Sequence, residues 1–178
     1  INGAGVVQWT ANGVAISIAT LSQRTLACVS DGSGGAIISW EDDRVSTNVD
    51  VYAQRVNSAG TVQWTTNGVG VGTAANDQES ADLVADGSGG AIIVWEDSRS
   101  GSGRDIYAQR MNATGSALWA SNGVDVTTLA TSEDNPKVAA DGSGGAIITW
   151  LDSRSGLADV YSQRISGGGT AQWAANGV

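Results

Sequence analysis

The stretch Asp86–Gly115 reads DGSGGAIIVWEDSRSGSGRDIYAQRMNATG, and its opening octet, DGSGGAII, is written again at Asp31 and at Asp141. Each octet begins 55 residues after the previous one. The correspondence runs outward from there. Trp40, Trp95 and Trp150 close the same apolar run, and Tyr52, Tyr107 and Tyr161 lie in the next, each followed two residues on by Gln-Arg. Trp64, Trp119 and Trp173 come after, then Asn-Gly-Val at Asn67, Asn122 and Asn176. A partial copy stands in front, since Ile1–Val14 (INGAGVVQWTANGV) matches Val56–Val69 (VNSAGTVQWTTNGV). A fixed period of this kind marks a supersecondary unit whose apolar faces are buried only by neighbouring copies.

One copy reads as four short strands. In Thr25–Ser30, Leu26, Cys28 and Ser30 share one side of a weak alternation. Asp31–Gly35 is a turn, because Asp caps its own turn and glycine supplies positive φ. Ala36–Trp40 is apolar on both faces, Glu41–Val49 is a polar loop, and Asp50–Val56 is a third strand. After the Asn57–Gly60 turn, Thr61–Thr65 reads as a fourth strand carrying Trp64, followed by the Asn-Gly turn at Asn67. No window shows helical periodicity. A small antiparallel sheet that is apolar on both faces describes a β-propeller blade.

The chain is therefore expected to be all-β and a single repeat domain, 1–178. The partial repeat 1–14 would give an outer strand at Val6–Thr10, with blade 1 at 24–71, blade 2 at 79–126 and blade 3 at 133–178. The alternative is a β-solenoid or an open repeat array, against which the tight glycine turns argue for hairpins. Propeller rings need about four to eight blades. Completion would come from the rest of a longer chain, from a second copy closing one ring, or from copies joined end to end by adding the surplus strand to a sheet edge. The chain starts and stops within a repeat, which reads as a segment of a longer protein.

Composition narrows the function. The net charge is −9, there is no His, and Lys137 is the only Lys. A nucleic-acid partner would require a basic patch, and anionic membrane surfaces would repel this chain. No apolar run approaches the ~20 residues of a membrane span. Cys28 is the single Cys and aligns with Leu83 and Val138, so it reads as a small buried apolar residue. With no His to activate it, a catalytic thiol has no basis, and no disulfide framework exists.

The Asp86–Gly115 string resembles the tandem repeats of large secreted and cell-surface proteins of bacteria, which carry a D-G-x-G-G-A-hydrophobic-W-x-D-x-R core followed by D-I-Y-A-Q-R. The resemblance covers nearly the whole chain. It implies an extracellular or cell-surface, bacterial, β-propeller-like array, and it carries over no catalytic residue. The Asp-turn-Trp order is also similar to the Asp-box hairpins of sialidase-like propellers, although nine residues separate Asp31 from Trp40, a longer gap than that box has.

Three sets of residues are candidates for a site. The first pairs Asp42 with Arg44, Asp97 with Arg99 and Asp152 with Arg154, each followed by a second carboxylate at Asp50, Asp105 and Asp159. Such a set would form either one polar pocket per blade, for sugar hydroxyls or calcium, or an Asp–Arg network tying strands together. Occurrence in every copy favours the network. Calcium needs about six to eight oxygens. The Glu41-Asp42-Asp43 run, and Asp97 in the second copy, are its candidate ligands, whereas Leu151 replaces the Glu in the third copy. The second set is Trp64, Trp119 and Trp173 with Trp9, as a sugar-stacking platform or as packing between blades, while Trp40, Trp95 and Trp150 read as packing. The third set is Tyr52, Tyr107 and Tyr161 with Gln54-Arg55, Gln109-Arg110 and Gln163-Arg164, where each Arg head is expected to meet a carboxylate.

Positions that differ between copies would carry any specific recognition. These are loops Asp43–Val49, Ser98–Arg104 and Ser153–Ala158, and linkers Ala15–Arg24, Gly70–Glu79 and Asp125–Asp134. Asn112-Ala-Thr114 forms a glycosylation sequon. No activated nucleophile or singled-out acid–base pair is present, so the expected role is non-catalytic and without a cofactor. The first expectation is a structural or interaction scaffold whose partner is a copy of itself or further repeats. The alternative is a glycan- or calcium-binding module with one weak site per blade, acting on surface glycans through avidity.

Overall fold

The computed structural model describes residues 3–178, so Ile1 and Asn2 of the partial copy lie outside it. The described residues form three antiparallel sheets and no helix. Strands β1 (Gln23–Ser30), β2 (Ala36–Asp42), β3 (Asp50–Val56) and β4 (Val69–Gly72) lie side by side in that order. Strands β5 (Gln78–Ala85), β6 (Ala91–Asp97), β7 (Asp105–Met111) and β8 (Val124–Asp125) repeat the arrangement. The third sheet holds β9 (Glu133–Ala140), β10 (Ala146–Asp152) and β11 (Asp159–Ile165).

The DGSGG hairpins are closed by their own Asp. Asp31 Oδ1 accepts from Ser33 N–H and Gly35 N–H, both at 2.8 Å. Gly35 is obligatory there, since a Cβ would sit 2.2 Å from the Val56 carbonyl oxygen. In the following hairpin the register sets Trp40 opposite Tyr52 and Asp42 opposite Asp50, and the other two sheets match it.

The fourth strand differs from the sequence reading. Thr61–Thr65 is not a strand; it touches β3 through the Val56–Val62 bridge and one Gln63 N–H to Arg55 O bond of 2.7 Å. Val69–Gly72, beyond the Asn-Gly turn, takes the edge of the sheet instead. The cause is the buried Gln54 side chain. Its Oε1 accepts from Trp64 N–H at 2.8 Å and its Nε2 donates to Thr65 O at 2.8 Å, replacing a backbone ladder with side-chain bonds. Gln109 and Gln163 do the same for Trp119 and Trp173. The segment is thereby lifted off its own sheet and its Trp is carried toward the next repeat.

The expected outer strand at Val6–Thr10 is likewise not formed as a strand. Residues 3–14 instead lean on the first repeat through Trp9, whose indole donates to Ser58 O at 2.9 Å.

Successive sheets stack on one another. β5 lies against β1, β2 and β3, and β9 lies against β5, β6 and β7. Between the first two sheets, Ile37, Val51, Ala53 and Trp64 meet Leu83, Ile93, Trp95 and Met111. Between the next two, Ile92, Val94, Ile106 and Ala108 meet Ala146, Ile148, Trp150 and Ile165. Each first strand also carries a bulge with a left-handed residue at Thr25, Ser80 or Asn135 (φ 51°, 54° and 54°). The bulge turns an amide toward the preceding sheet, where Ser80 N–H meets Glu41 Oε1 at 3.0 Å and Asn135 N–H meets Glu96 Oε1 at 2.8 Å.

Position in the stack decides burial. Val51 and Ile106 are 0 % exposed, while the aligned Val160 is 74 % exposed because no further sheet covers it among the described residues. Cys28 is exposed, contrary to the sequence reading, because among the described residues no sheet covers that face of the first; the aligned Leu83 is 7 % exposed. Val51→Ala is expected to lower stability by about 2 kcal/mol, and Val160→Ala by less than about 0.5 kcal/mol. Urea unfolding of the two variants side by side checks this.

Candidate functional site

Each repeat builds the same polar cluster at one end of its second strand. Asp42, the last residue of β2, is 0 % exposed. Its Oδ1 accepts from Arg44 N–H (2.9 Å) and Arg44 Nε (2.8 Å), and its Oδ2 from Arg44 Nη2 (2.6 Å) and Trp40 Nε1 (2.8 Å). Arg44 Nη2 also donates to Asn67 O at 2.7 Å. The guanidinium lies over the Tyr52 ring at 3.7 Å, and that ring stacks on Trp40 at 6.5 Å. The result is a bidentate ion pair layered with two aromatic rings and tied to the Asn-Gly turn. Asp97, Arg99, Tyr107, Trp95 and Asn122 reproduce it in the second repeat. Asp152, Arg154, Tyr161, Trp150 and Asn176 do so in the third.

The glycine of the Asn-Gly turn completes the cluster by letting the Trp approach. A Cβ on Gly68 would lie 2.5 Å from the Trp40 ring, and the same distance holds for Gly123 with Trp95 and Gly177 with Trp150.

The second carboxylates sit apart from this pair and differ among themselves. Asp50 is buried and accepts from Asn48 Nδ2 at 2.7 Å. Asp105 is 2 % exposed and its Oδ1 has no protein partner among the described residues. It borders a shallow cleft lined by Arg99, Ser100, Ser102, Tyr107 and Thr128. Asp159 is exposed and accepts from Ser155 Oγ at 2.6 Å.

Electrostatics separates the two kinds of carboxylate. Burial pushes the Asp42 and Asp152 carboxyls up, but hydrogen bonds from the paired Arg and the neighbouring Trp outweigh it and hold both below the usual range. Burial opposed by hydrogen bonds from the turn amides and an Arg leaves Asp31 and Asp86 depressed as well. Asp50 goes the other way. Burial pushes it up to about 6, with the charges of Asp42 and Asp77 adding to the effect. Asp105 and Glu133 are also raised, burial being the main cause.

These directions fix a pH dependence. A raised folded-state pKa means that ionised Asp50 opposes folding above pH 6 and that its protonation favours the folded state as pH falls toward about 4. The depressed carboxylates contribute stability above the ordinary carboxylate pKa and lose it at lower pH. The melting temperature is therefore expected to be flat from pH 7.5 to about 6.5, to rise as pH falls from about 6.5 to about 4.5, and to fall below about pH 3.5. Asp50→Asn should raise the melting temperature at pH 7.5 and flatten the upper limb, which calorimetry across that pH range measures.

The other predicted residues are placed as follows. Arg55 donates to Asp31 Oδ2 through Nε (3.0 Å) and Nη2 (2.9 Å), and Arg110 with Asp86 and Arg164 with Asp141 match it. Trp64 and Trp119 stand on the following repeat, whereas Trp173 is 40 % exposed. Asp42, Asp43 and Asp97 do not converge, since Asp43 pairs with Arg24 and Asp97 belongs to another repeat. Among the described residues, no three acidic or thiol groups come together as a metal site would require. Asn112 of the sequon closes its own turn, its Oδ1 accepting from Thr114 N–H and Ser116 N–H at 2.9 Å each. Sequence reasoning named Gln54, Gln109 and Gln163 but not their role, which is to anchor the Trp segments, and placed Glu41 in a calcium run, whereas Glu41 and Glu96 bridge to the next repeat. Recurrence of an uncharged polar Gln inside an otherwise apolar strand was the available signal.

No protein-family model matches this chain, and no curated protein matches it.

Proposed function

We propose that this chain is a non-catalytic repeat protein of the bacterial cell exterior, whose sheets are propeller-like blades in an open arc and whose role is to associate with copies of itself as a scaffold or filament. One observation carries the reading. The faces that bury Val51 and Leu83 inside the stack recur uncovered at its two ends, where Val160 is 74 % and Leu26 73 % exposed. Apolar faces of this kind on a repeat unit are association surfaces. The charge of −9 opposes indiscriminate aggregation. Localisation rests on the resemblance of the Asp86–Gly115 string to bacterial surface repeats. Light scattering over a concentration series tests the reading: mass should grow with concentration, and a monomer throughout, for the parent and for the variants described below, would reject it.

A second reading is a glycan-binding module. It is favoured by the unpartnered Asp105 Oδ1 beside Tyr107 and the Ser100 and Ser102 hydroxyls. A carboxylate next to an aromatic ring suits a sugar hydroxyl and its pyranose face. A glycan array with wild type and Asp105→Asn, together with a calcium titration followed by thermal shift, tests it. Loss of any hit on Asp105→Asn would support it, and an array and titration without response would remove it.

A further inference from the structure

The seam between repeats is made twice in this chain from the same parts. The Trp64 indole donates to Ala113 O at 3.1 Å and presses on Gly115, where a Cβ would fall 2.7 Å from the ring. Trp119 stands likewise on Gly167 O (3.1 Å) and Gly169 (2.8 Å). Arg55 Nη1 adds a bond to Ala113 O (3.1 Å), and Arg110 Nη1 one to Gly167 O (3.2 Å). Behind these contacts lies the apolar sandwich.

At the first repeat the same turn is occupied in a reduced way. Trp9 donates to Ser58 O at 2.9 Å and covers Gly60, with a Cβ-to-ring distance of 2.9 Å. No described residue there repeats the Arg contact, and no sheet lies behind it. Leu26 and Cys28 are exposed, and Ile38 is half-buried where Ile93 and Ile148 are 0 % exposed. At the other end the donor parts stand ready. Trp173 is 40 % exposed, and the Arg164 side chain is 39 % exposed against 18 % for Arg55 and 16 % for Arg110. The segment carrying Trp173, Ile165–Val178 (ISGGGTAQWAANGV), matches Ile1–Val14 (INGAGVVQWTANGV) at nine of fourteen positions, the Gln-Trp and Asn-Gly-Val included.

We propose that residues 3–14 are a replaceable cap, and that residues 165–178 of a second copy displace it. Trp173 then takes the place of Trp9 on the Asn57–Gly60 turn, and the third sheet of one copy stacks on the first sheet of the next. This rests on the self-association reading above and specifies its surface. The cap has the advantage of being tethered, which gives it an effective concentration of order millimolar. The incoming segment brings Trp173, Arg164 and a sheet face with Ile147 and Val160. Exchange is therefore concentration-dependent, and the contact is head-to-tail, which continues rather than closes unless the rotation returns on itself.

One part of the repeated seam is missing. Glu41 and Glu96 each accept the amide of a bulge residue in the following sheet, but the third repeat has Leu151 at that place. The Thr25 amide of the docked copy would meet no carboxylate there. Leu151→Glu would supply it.

Sedimentation equilibrium of the full chain over a concentration series tests the proposal, with circular dichroism to verify the fold of each variant. Trp9→Ala, which weakens the cap, is expected to tighten association about tenfold. Trp173→Ala is expected to weaken it at least about tenfold. Leu151→Glu, at a half-buried position, is expected to tighten it about tenfold through a charged hydrogen bond. If the parent associates and all three variants match it, assembly uses another surface; the exchange is overturned while the self-association reading stands. If parent, Trp9→Ala and Leu151→Glu are all monomeric at every concentration, both fall, and the end faces belong to a partner other than a second copy.

Discussion

Trp95→Ala is expected to cost about 3–5 kcal/mol, among the largest losses any single truncation in this chain can cause. Trp95 is 0 % exposed and sits in the core between the first and second sheets, so its removal opens a cavity in that seam. Gly72 and Gly123 approach its ring so closely that a Cβ on either would lie 2.8 or 2.5 Å away. Two backbone segments are thus held on one side chain and cannot collapse without moving strands. The substitution also removes the 2.7 Å donor to Asp97 Oδ2 and the 6.4 Å stack on Tyr107. Trp173→Ala, with the same chemistry at a 40 % exposed position, should lower stability far less. Chemical denaturation followed by far-ultraviolet circular dichroism separates the two. Because stacked repeats can uncouple, Trp95→Ala is also expected to broaden the transition. Equal losses from Trp95→Ala and Trp173→Ala would contradict the stack.

Asp97→Ala is expected to cost about 3 kcal/mol, the lower end of the range for breaking a buried pair, since Arg99 keeps 22 % side-chain exposure. The loss comes from what remains. The Arg99 guanidinium, the Arg99 amide and the Trp95 indole all lose their acceptor at once. Arg99 stays over the Tyr107 ring at 3.8 Å, which retains part of its stabilisation. The double variant Asp97→Ala with Arg99→Ala should therefore be less destabilised than the sum of the singles, by about 1–3 kcal/mol. A near-neutral Asp97→Ala would mean that the carboxylate is not committed to the strand network and would revive its candidacy as a ligand group. The same logic applies to Asp42 and Asp152, whose clusters are built from the same contacts.

Much of this was legible from residues alone. The octets at Asp31, Asp86 and Asp141 located three hairpins, and the runs Ala36–Trp40 and Asp50–Val56 placed β2, β3 and their counterparts close to their actual limits. The spacing of Asp42 and Arg44 brought an ion pair into view. What that spacing did not contain was the other three members, Trp40, Tyr52 and Asn67, which come from the same strand, the facing strand and a turn beyond it. Thr61–Thr65 has strand composition, yet Gln54, ten residues before Trp64, holds it off the sheet through side-chain bonds. Local propensity has no access to such a contact, and so the edge position went to Val69–Gly72.

The sequence by itself determined the repeat, the all-β character, the antiparallel hairpins and the net acidic charge, because each follows from period, turn chemistry and composition. Tertiary structure decided which copy of an identical residue is core and which is surface. Val51, Ile106 and Val160 occupy one aligned position, as do Cys28, Leu83 and Val138, and no local signal ranks them by burial. Burial in a stack is conferred by the neighbour, and the residue that needs a neighbour is written the same way whether or not one is there.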